Sequence, residues 1–166
     1  MNAHINSPCK YRTQGFALLE VLIAVLVLSI GLLGTAALQA SALRNNQSSL
    51  ERSMAVAQSY AILDAIRASA AEARMAQPSF AGQRQAATAA SAAYNRNLTD
   101  AIPAAGGTLV GQDQHVWLMA LQSNLNPSAQ GAIACAASVC TITVRWDDSR
   151  GSQGSAAQDV VIIGQI

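Results

Sequence analysis

A long apolar segment near the N-terminus constrains this chain more than any other feature. Between Phe16 and Leu43 lie 28 residues with a single ionisable side chain, that of Glu20. About 20 apolar residues suffice for a helix to cross the hydrocarbon core of a bilayer. The sequence therefore predicts a membrane-spanning helix over residues 16–43, with a large domain, residues 44–166, outside the membrane.

Glu20 makes this segment unusual, because a carboxylate inside a membrane helix costs roughly 3 kcal/mol on insertion scales. One interpretation is that the side chain lies near the membrane edge and reaches the headgroups. The other is that Glu20 has a dedicated partner in an assembled state. Further along the helix, Gly31 and Gly34 predict either a place where the helix loosens or a site of close helix packing.

The flanking charges predict the orientation of the helix. The N-terminal flank carries Lys10 and Arg12 and no acid, whereas the other flank mixes Arg44 and Arg52 with Glu51. The positive-inside rule therefore puts the N-terminus in the cytoplasm. A cleaved secretory signal peptide is the alternative, but its apolar region spans about 7 to 15 residues and the run here is longer.

The outer part of the chain is balanced in charge. Its eight arginines face eight acidic residues, and the only lysine precedes the membrane segment. Non-specific nucleic-acid binding depends on an excess of Lys and Arg, so the composition gives no indication of it. The length of this part is sufficient for one domain with its own core.

Helical patterns continue beyond the membrane. The first helix is predicted to run to about Gln77, because Pro78 disfavours a helical conformation in the residue before it. Its packed face is predicted from apolar residues at spacings of three and four: Leu50, Met54, Ala57, Ala61, Ile62 and Ile66. Residues 79–112 show weak periodicity, and no helix is predicted there. Asp113 is predicted to cap a further helix, which carries a stripe formed by Trp117, Leu118, Leu121 and Leu125.

The C-terminal part has the pattern of a β-sheet. The segment "CTITVRW" alternates strictly, which is typical of a half-buried strand. A hairpin connection over residues 136–139 would set Cys135 opposite Cys140 and Ile133 opposite Ile142. With a last strand in "DVVIIGQI", the prediction is an α+β fold in which a three-stranded antiparallel meander packs on the long helix.

The N-terminal residues resemble a known signal. A short basic leader ends in Gly15, and "GFALLEVLIAVLVLSIGLLG" follows with Glu20 at the fifth position after that glycine. This arrangement resembles the class III signal of type IV pilins and pseudopilins. The resemblance implies that a prepilin peptidase cleaves between Gly15 and Phe16, removes residues 1–15 and N-methylates Phe16. It also implies that the new amino group pairs with Glu20 of a neighbouring subunit, which would keep the carboxylate ionised.

Two further segments narrow the resemblance. "SIGLLGTAALQ" in the helix and "TITVRWDD" in the strand are similar to the minor pilin family called type IV pilus modification protein PilV. This implies a low-abundance component of type IV pili that primes assembly and influences adhesion and twitching motility. Its implied partners are other minor pilins, the major pilin and the inner-membrane assembly machinery. It would reside in the inner membrane, with a periplasmic domain, before joining the fibre at the cell surface.

Two alternatives to this function stay open. The first is a minor pseudopilin of a type II secretion system, which shares the same helix. The second is a signal-anchored periplasmic binding module that does not polymerise. Genomic neighbours would separate a pilin from a pseudopilin, and cleavage after Gly15 would separate both from the binding module.

The three cysteines fit this placement. Cys9 lies in the leader, so Cys135 and Cys140 are predicted to form a disulfide in an oxidising periplasm. A metal or redox site is the alternative, but no further cysteine or paired histidine accompanies the two, and His115 stands alone and is expected to be exposed. Asp147 and Asp148 suit a solvated loop or a weak Ca²⁺ site. No catalytic constellation, cofactor or metal is expected, so the chain is predicted not to be an enzyme.

Overall fold

The computed structural model describes residues 16–151 and 154–166, except for the side chains of Phe16 and Ala17. Gly15, Cys9 and the rest of the predicted leader lie outside the described residues. The chain divides into two units, residues 1–42 and 43–166. The helices and strands follow in the order α1 (Phe16–Met75), α2 (Phe80–Ala92), α3 (Leu109–Asn124), β1 (Gln130–Ala136), β2 (Val139–Trp146) and β3 (Gln158–Gln165). The predicted α+β fold, a long N-terminal helix with a small antiparallel sheet, is confirmed.

The first helix is long and continuous. It contains 60 residues and ends two residues before the predicted Gln77. Its apolar window has a mean hydropathy of 2.6 and none of it is buried, so by length and composition the helix could cross a membrane. From Leu18 to Ala42 every side chain is exposed, as expected of a helix whose apolar surface is covered by something other than its own chain.

The packed face of α1 beyond the membrane segment differs from the predicted one. Leu50, Ala57 and Ala61 are exposed, so their assignment to the core was wrong, whereas Ile62 and Ile66 are buried as predicted. The buried stripe consists of Glu51, Ala55, Ser59, Ile62, Leu63, Ile66 and Ala70. Sequence pattern misplaced it because alanines occur on all sides of this helix and carry too little hydrophobic contrast to define a face.

The three strands form one antiparallel sheet in the order β1-β2-β3. Cys135 pairs with Cys140 and Ile133 with Ile142, so the predicted hairpin register is confirmed. The connection is shorter than the predicted four residues, because the strands continue to Ala136 and Val139. Ala137 has φ of 53° in this tight turn, which is a left-handed conformation that two-residue hairpin turns require.

The core lies between the inner face of the sheet, the outer half of α1, and α3. Trp117 and Leu121 of α3, with Leu63 and Ile66 of α1, pack with the inner residues of the strands. Glycines permit the closest approaches, because a Cβ atom on Gly164 would overlap the Leu63 side chain. The predicted α3 stripe is confirmed: Trp117, Leu118, Leu121 and Leu125 are all buried.

Two helix predictions need correction. Thr108, not Asp113, caps α3, and its side chain accepts a hydrogen bond from the Gly111 N–H. Residues 79–112 contain the helix α2, capped by Ser79, where no helix was predicted. Helix α2 buries only Ala87 and Ser91, so it lacks the apolar stripe by which a helix is recognised in sequence.

Candidate functional site

The start of α1 brings the two sequence-predicted residues Phe16 and Glu20 onto one helix. The helix begins at Phe16, and Glu20 follows four residues later. Residues four apart lie on the same helical face, separated by about 6 Å along the axis. Gly15 lies outside the described residues, as does the Phe16 side chain, so the predicted cleavage and the methylation site stay predictions.

Glu20 is exposed near the N-terminal end of the span. Within the described part of the chain, no hydrogen bond or ion pair involves its carboxylate. The residues from Val21 to Leu43 contain no charged side chain, and the next charge is that of Arg44. A carboxylate near the positive end of a helix dipole is moderately stabilised, but this does not offset the loss of hydration in hydrocarbon.

The hydroxyls of Ser29 and Thr35 in the span are satisfied by bonds within the helix. Ser29 Oγ donates to the Val25 carbonyl at 2.6 Å, and Thr35 Oγ1 donates to the Leu32 carbonyl at 2.9 Å. Such bonds remove the need for water inside a bilayer. The helix continues through Gly31 and Gly34, where a Cβ atom would meet nothing within 4 Å. Both glycines therefore leave open helix surface rather than accommodating a neighbour within the chain.

The hairpin of the outer unit is linked covalently. A disulfide joins Cys135 to Cys140, which face each other across the β1–β2 turn. Both residues are buried on the inner face of the sheet. The bridge thus links the two strands at the turn end of the hairpin.

Two acidic residues have structural roles that the sequence did not indicate. Tyr94 is fully buried, and its hydroxyl donates to Asp113 Oδ2 at 2.6 Å. Burial, reinforced by this hydrogen bond, raises the pKa of the Tyr94 phenol. Asp148 is also buried, and Ser48 Oγ donates to its Oδ2 at 2.6 Å. The prediction of a solvated loop was therefore wrong for Asp148, which anchors the loop to α1.

The described residues contain no group of three or more His, Cys, Asp or Glu side chains placed to hold a metal ion. His115 is half-buried rather than exposed as predicted, and its Nδ1 lies 2.7 Å from the Pro103 carbonyl oxygen. Because the carbonyl can only accept, Nδ1 carries the proton in this contact. The contact joins α3 to the preceding loop, which is a structural role.

A family model matches the N-terminal part of the chain. Residues 10–36 match the family described as the prokaryotic N-terminal methylation motif. The match includes Gly15, Phe16 and Glu20 and covers the first part of α1. No curated protein and no solved structure matches the chain.

This motif is the prepilin signature of type IV pilins and pseudopilins. Together with the long apolar helix and the small antiparallel sheet, it indicates a type IV pilin or pseudopilin that is processed by prepilin peptidase and anchored in the membrane before assembly. The motif and the fold suggest a structural protein rather than an enzyme. They also imply assembly with pilin machinery.

Proposed function

We propose that this chain is a minor pilin of a type IV pilus, of the family called type IV pilus modification protein PilV. Prepilin peptidase removes residues 1–15 by cleavage between Gly15 and Phe16 and methylates the new N-terminus at Phe16. Residues 16–43 then serve as the membrane anchor and later as part of the fibre core, and residues 44–166 form the periplasmic domain.

The methylation motif at the start of one continuous 60-residue helix carries this proposal. The motif contains the proposed processing site. The helix has an exposed apolar surface, which would be buried against other subunits in a fibre core. The narrower PilV assignment is supported by "TITVRWDD", which spans most of β2 and the two aspartates after it. Because pilins and pseudopilins share the N-terminal helix, this strand segment carries the narrower assignment.

In this proposal Glu20 aligns neighbouring subunits during assembly. Its carboxylate pairs with the Phe16 amino group of a neighbouring subunit, because an opposite charge at about 4 to 6 Å in low dielectric offsets part of the desolvation of both groups. The absence of an internal partner for Glu20 within the described residues fits a partner on another chain.

The test uses the full chain in its own cells. Glu20→Ala and Glu20→Gln should still insert and be cleaved, but both should accumulate in the inner membrane and be depleted from sheared pili. Glu20→Asp is the matched control, since it keeps the charge and should retain most incorporation. The measured quantity is the ratio of this subunit to major pilin in purified fibres, normalised to its membrane pool.

Two results would contradict the proposal. An unchanged ratio for both neutral variants would mean that apolar helix packing alone recruits the subunit. Absence of the processed wild-type chain from sheared pili, together with its presence in a secretion pseudopilus, would transfer the proposal to the pseudopilin alternative.

A further inference from the structure

The two edge strands of the sheet, β1 and β3, differ in how many of their outward-facing backbone groups are hydrogen-bonded. Along β1, every described outward-facing backbone group near the hairpin is occupied. The Cys135 N–H donates to Asn95 Oδ1 at 2.6 Å, and Asn95 Nδ2 donates to the Cys135 carbonyl at 3.2 Å. The amide side chain of Asn95 thus takes the place of a neighbouring strand at this position.

Arg96 occupies the next outward-facing backbone groups along the β1 edge. Its backbone N–H donates to the Ile133 carbonyl at 2.9 Å, and its carbonyl accepts from the Ile133 N–H at 3.0 Å. Its Nε donates to the Gly131 carbonyl at 3.0 Å. An edge strand with free N–H and C=O groups is a template for pairing with another chain. The β1 edge is closed to such pairing.

The β3 edge is open. The Ile166 N–H donates to the Ser138 carbonyl on the β2 side, and backbone groups alternate in direction along a strand. Residues 159, 161, 163 and 165 therefore direct their N–H and C=O groups away from β2. Among the described residues only Arg67 reaches them, through a 3.0 Å bond from Nε to the Gln165 carbonyl.

The side chains at this edge are also suited to a partner. Val161 and Ile163 point to the outer face and are 53% and 70% exposed. The strand has no lysine and no proline, which are the residues that usually block an exposed edge. Val161 and Ile163 thus have both unpaired outward-facing backbone groups and exposed β-branched side chains.

Charges mark the two ends of the open edge. At one end the Arg67 guanidinium bonds to the Gln165 carbonyl and to Asp64, and at the other Arg145 holds Asp159 with two bonds of 2.7 Å. Both guanidinium groups are paired and similarly exposed, 43% for Arg67 and 42% for Arg145. Asp159 holds Arg145 by two bonds, whereas Asp64 holds Arg67 by one bond and is itself 70% exposed, so Arg67 is the group that can take a further acid. A negative charge on a partner is therefore expected beside Arg67, at the Gln165 end of β3.

We propose that the open edge of β3 binds an extended segment of another polypeptide as a fourth, antiparallel strand. The segment has apolar residues at alternate positions, which contact Val161 and Ile163, and an acidic residue at its N-terminal end, which lies beside Arg67. The antiparallel direction is the more stable per residue. This surface is independent of the role proposed for Glu20 and of the choice between pilin and pseudopilin.

The test uses two capped synthetic peptides that alternate valine and threonine, one beginning with glutamate and one with lysine. Each is added to the full chain in detergent micelles, and amide hydrogen exchange is followed by NMR. The glutamate peptide should protect the Val161 and Ile163 amides and leave Ile133 unchanged. The lysine peptide should bind about ten-fold more weakly, in keeping with the range for charged hydrogen bonds, and Arg67→Gln should abolish the difference.

Variants of the β3 edge distinguish the contribution of backbone hydrogen bonds to peptide binding from that of apolar side-chain contacts. Val161→Pro removes an outward N–H without touching the β2–β3 ladder and should weaken the glutamate peptide about ten-fold, while Val161→Thr, the matched control, should bind like wild type. Ile163→Lys serves if the proline variant does not fold. Equal binding of both peptides, equal binding to Val161→Pro, or protection of the same amides by a second copy without peptide would each overturn the proposal.

Discussion

The indole ring of Trp117 occupies the space that a side chain on residue 131 would need. A Cβ atom on Gly131 would lie within 2.6 Å of Trp117 Cζ3, closer than any real contact. The same indole donates from Nε1 to the Gln58 carbonyl of α1 at 3.0 Å. One side chain of α3 thus joins the long helix to the first strand, and Gly131 permits it.

Replacement of Gly131 should destabilise the outer domain. Gly131→Ala forces Trp117 to move in a filled core, and overpacking of this kind costs about 1 to 3 kcal/mol. Gly107→Ala is the control, because a Cβ atom there meets nothing within 4 Å. Chemical unfolding of the full chain in detergent, followed by tryptophan fluorescence, measures both. Equal stability of the two variants would contradict the close packing of Trp117 on β1.

The hairpin turn should be improved by glycine. Ala137 has φ of 53°, a left-handed conformation that costs an L-residue roughly 1 kcal/mol, so Ala137→Gly should leave stability unchanged or raise it by up to about 1 kcal/mol. Ala136→Gly, one residue earlier in β1, should instead lower stability, because glycine weakens a strand. The same unfolding assay compares them, and the reverse order of the two variants would contradict this turn geometry.

The disulfide should act as a local clamp. A loop of six residues closed by a bridge contributes about 2 kcal/mol in the chain-entropy model, so Cys135→Ser with Cys140→Ser should lower stability by that amount without unfolding the domain. Non-reducing peptide mapping of exported protein should find Cys135 linked to Cys140. Cys9→Ser is the control and should change neither result. Free thiols at both positions in periplasmic protein would refute the pairing.

Alkaline pH should destabilise the domain through Tyr94. Because its pKa is raised in the folded state, the contribution of Tyr94 is present below the unfolded pKa of about 10 and is lost as the pH rises toward the folded pKa. Tyr94→Phe should lower stability at neutral pH by about 1 to 3 kcal/mol and lose less between about pH 10 and 12. The exposed Tyr60→Phe should match wild type in both ranges. Stability measured against pH distinguishes them.

Processing should depend on Gly15. Gly15→Leu should leave the full-length precursor in the membrane, because the proposed cleavage lies directly after this glycine and a bulky side chain there would obstruct it. Gln14→Ala, one position earlier, is the control and should be processed normally. Intact-mass measurement of membrane fractions reads the N-terminus directly. A mature N-terminus near Ala40 would indicate a conventional signal peptide instead.

The strand pattern of the sequence predicted the sheet closely. Strict alternation in "CTITVRW" defines which residues face the core, and a register shifted by one residue would expose Ile142 and Val144. Periodicity likewise predicted the stripe of α3. Both succeed because local hydrophobic contrast is strong and the geometry of a strand or helix converts it directly into a face.

Segments with weak contrast between apolar and polar positions were predicted poorly. Helix α2 buries only Ala87 and Ser91, and the outer half of α1 has alanine on every side, so its buried face was misplaced and Leu50 was wrongly assigned to the core. The helix cap at Thr108 was also missed, because Asp113 fits the capping preference equally well.

The sequence by itself determined the long apolar helix, the methylation motif and the pairing of Cys135 with Cys140 across a hairpin. Each is encoded by neighbours along the chain, through a run of apolar residues, a short motif or an alternation. Only the tertiary structure decided that Asn95 and Arg96 close the β1 edge while the β3 edge stays open. Those contacts join residues about 40 positions apart, and hydrogen bonds between such distant groups depend on how the helices and strands pack, which no local pattern specifies.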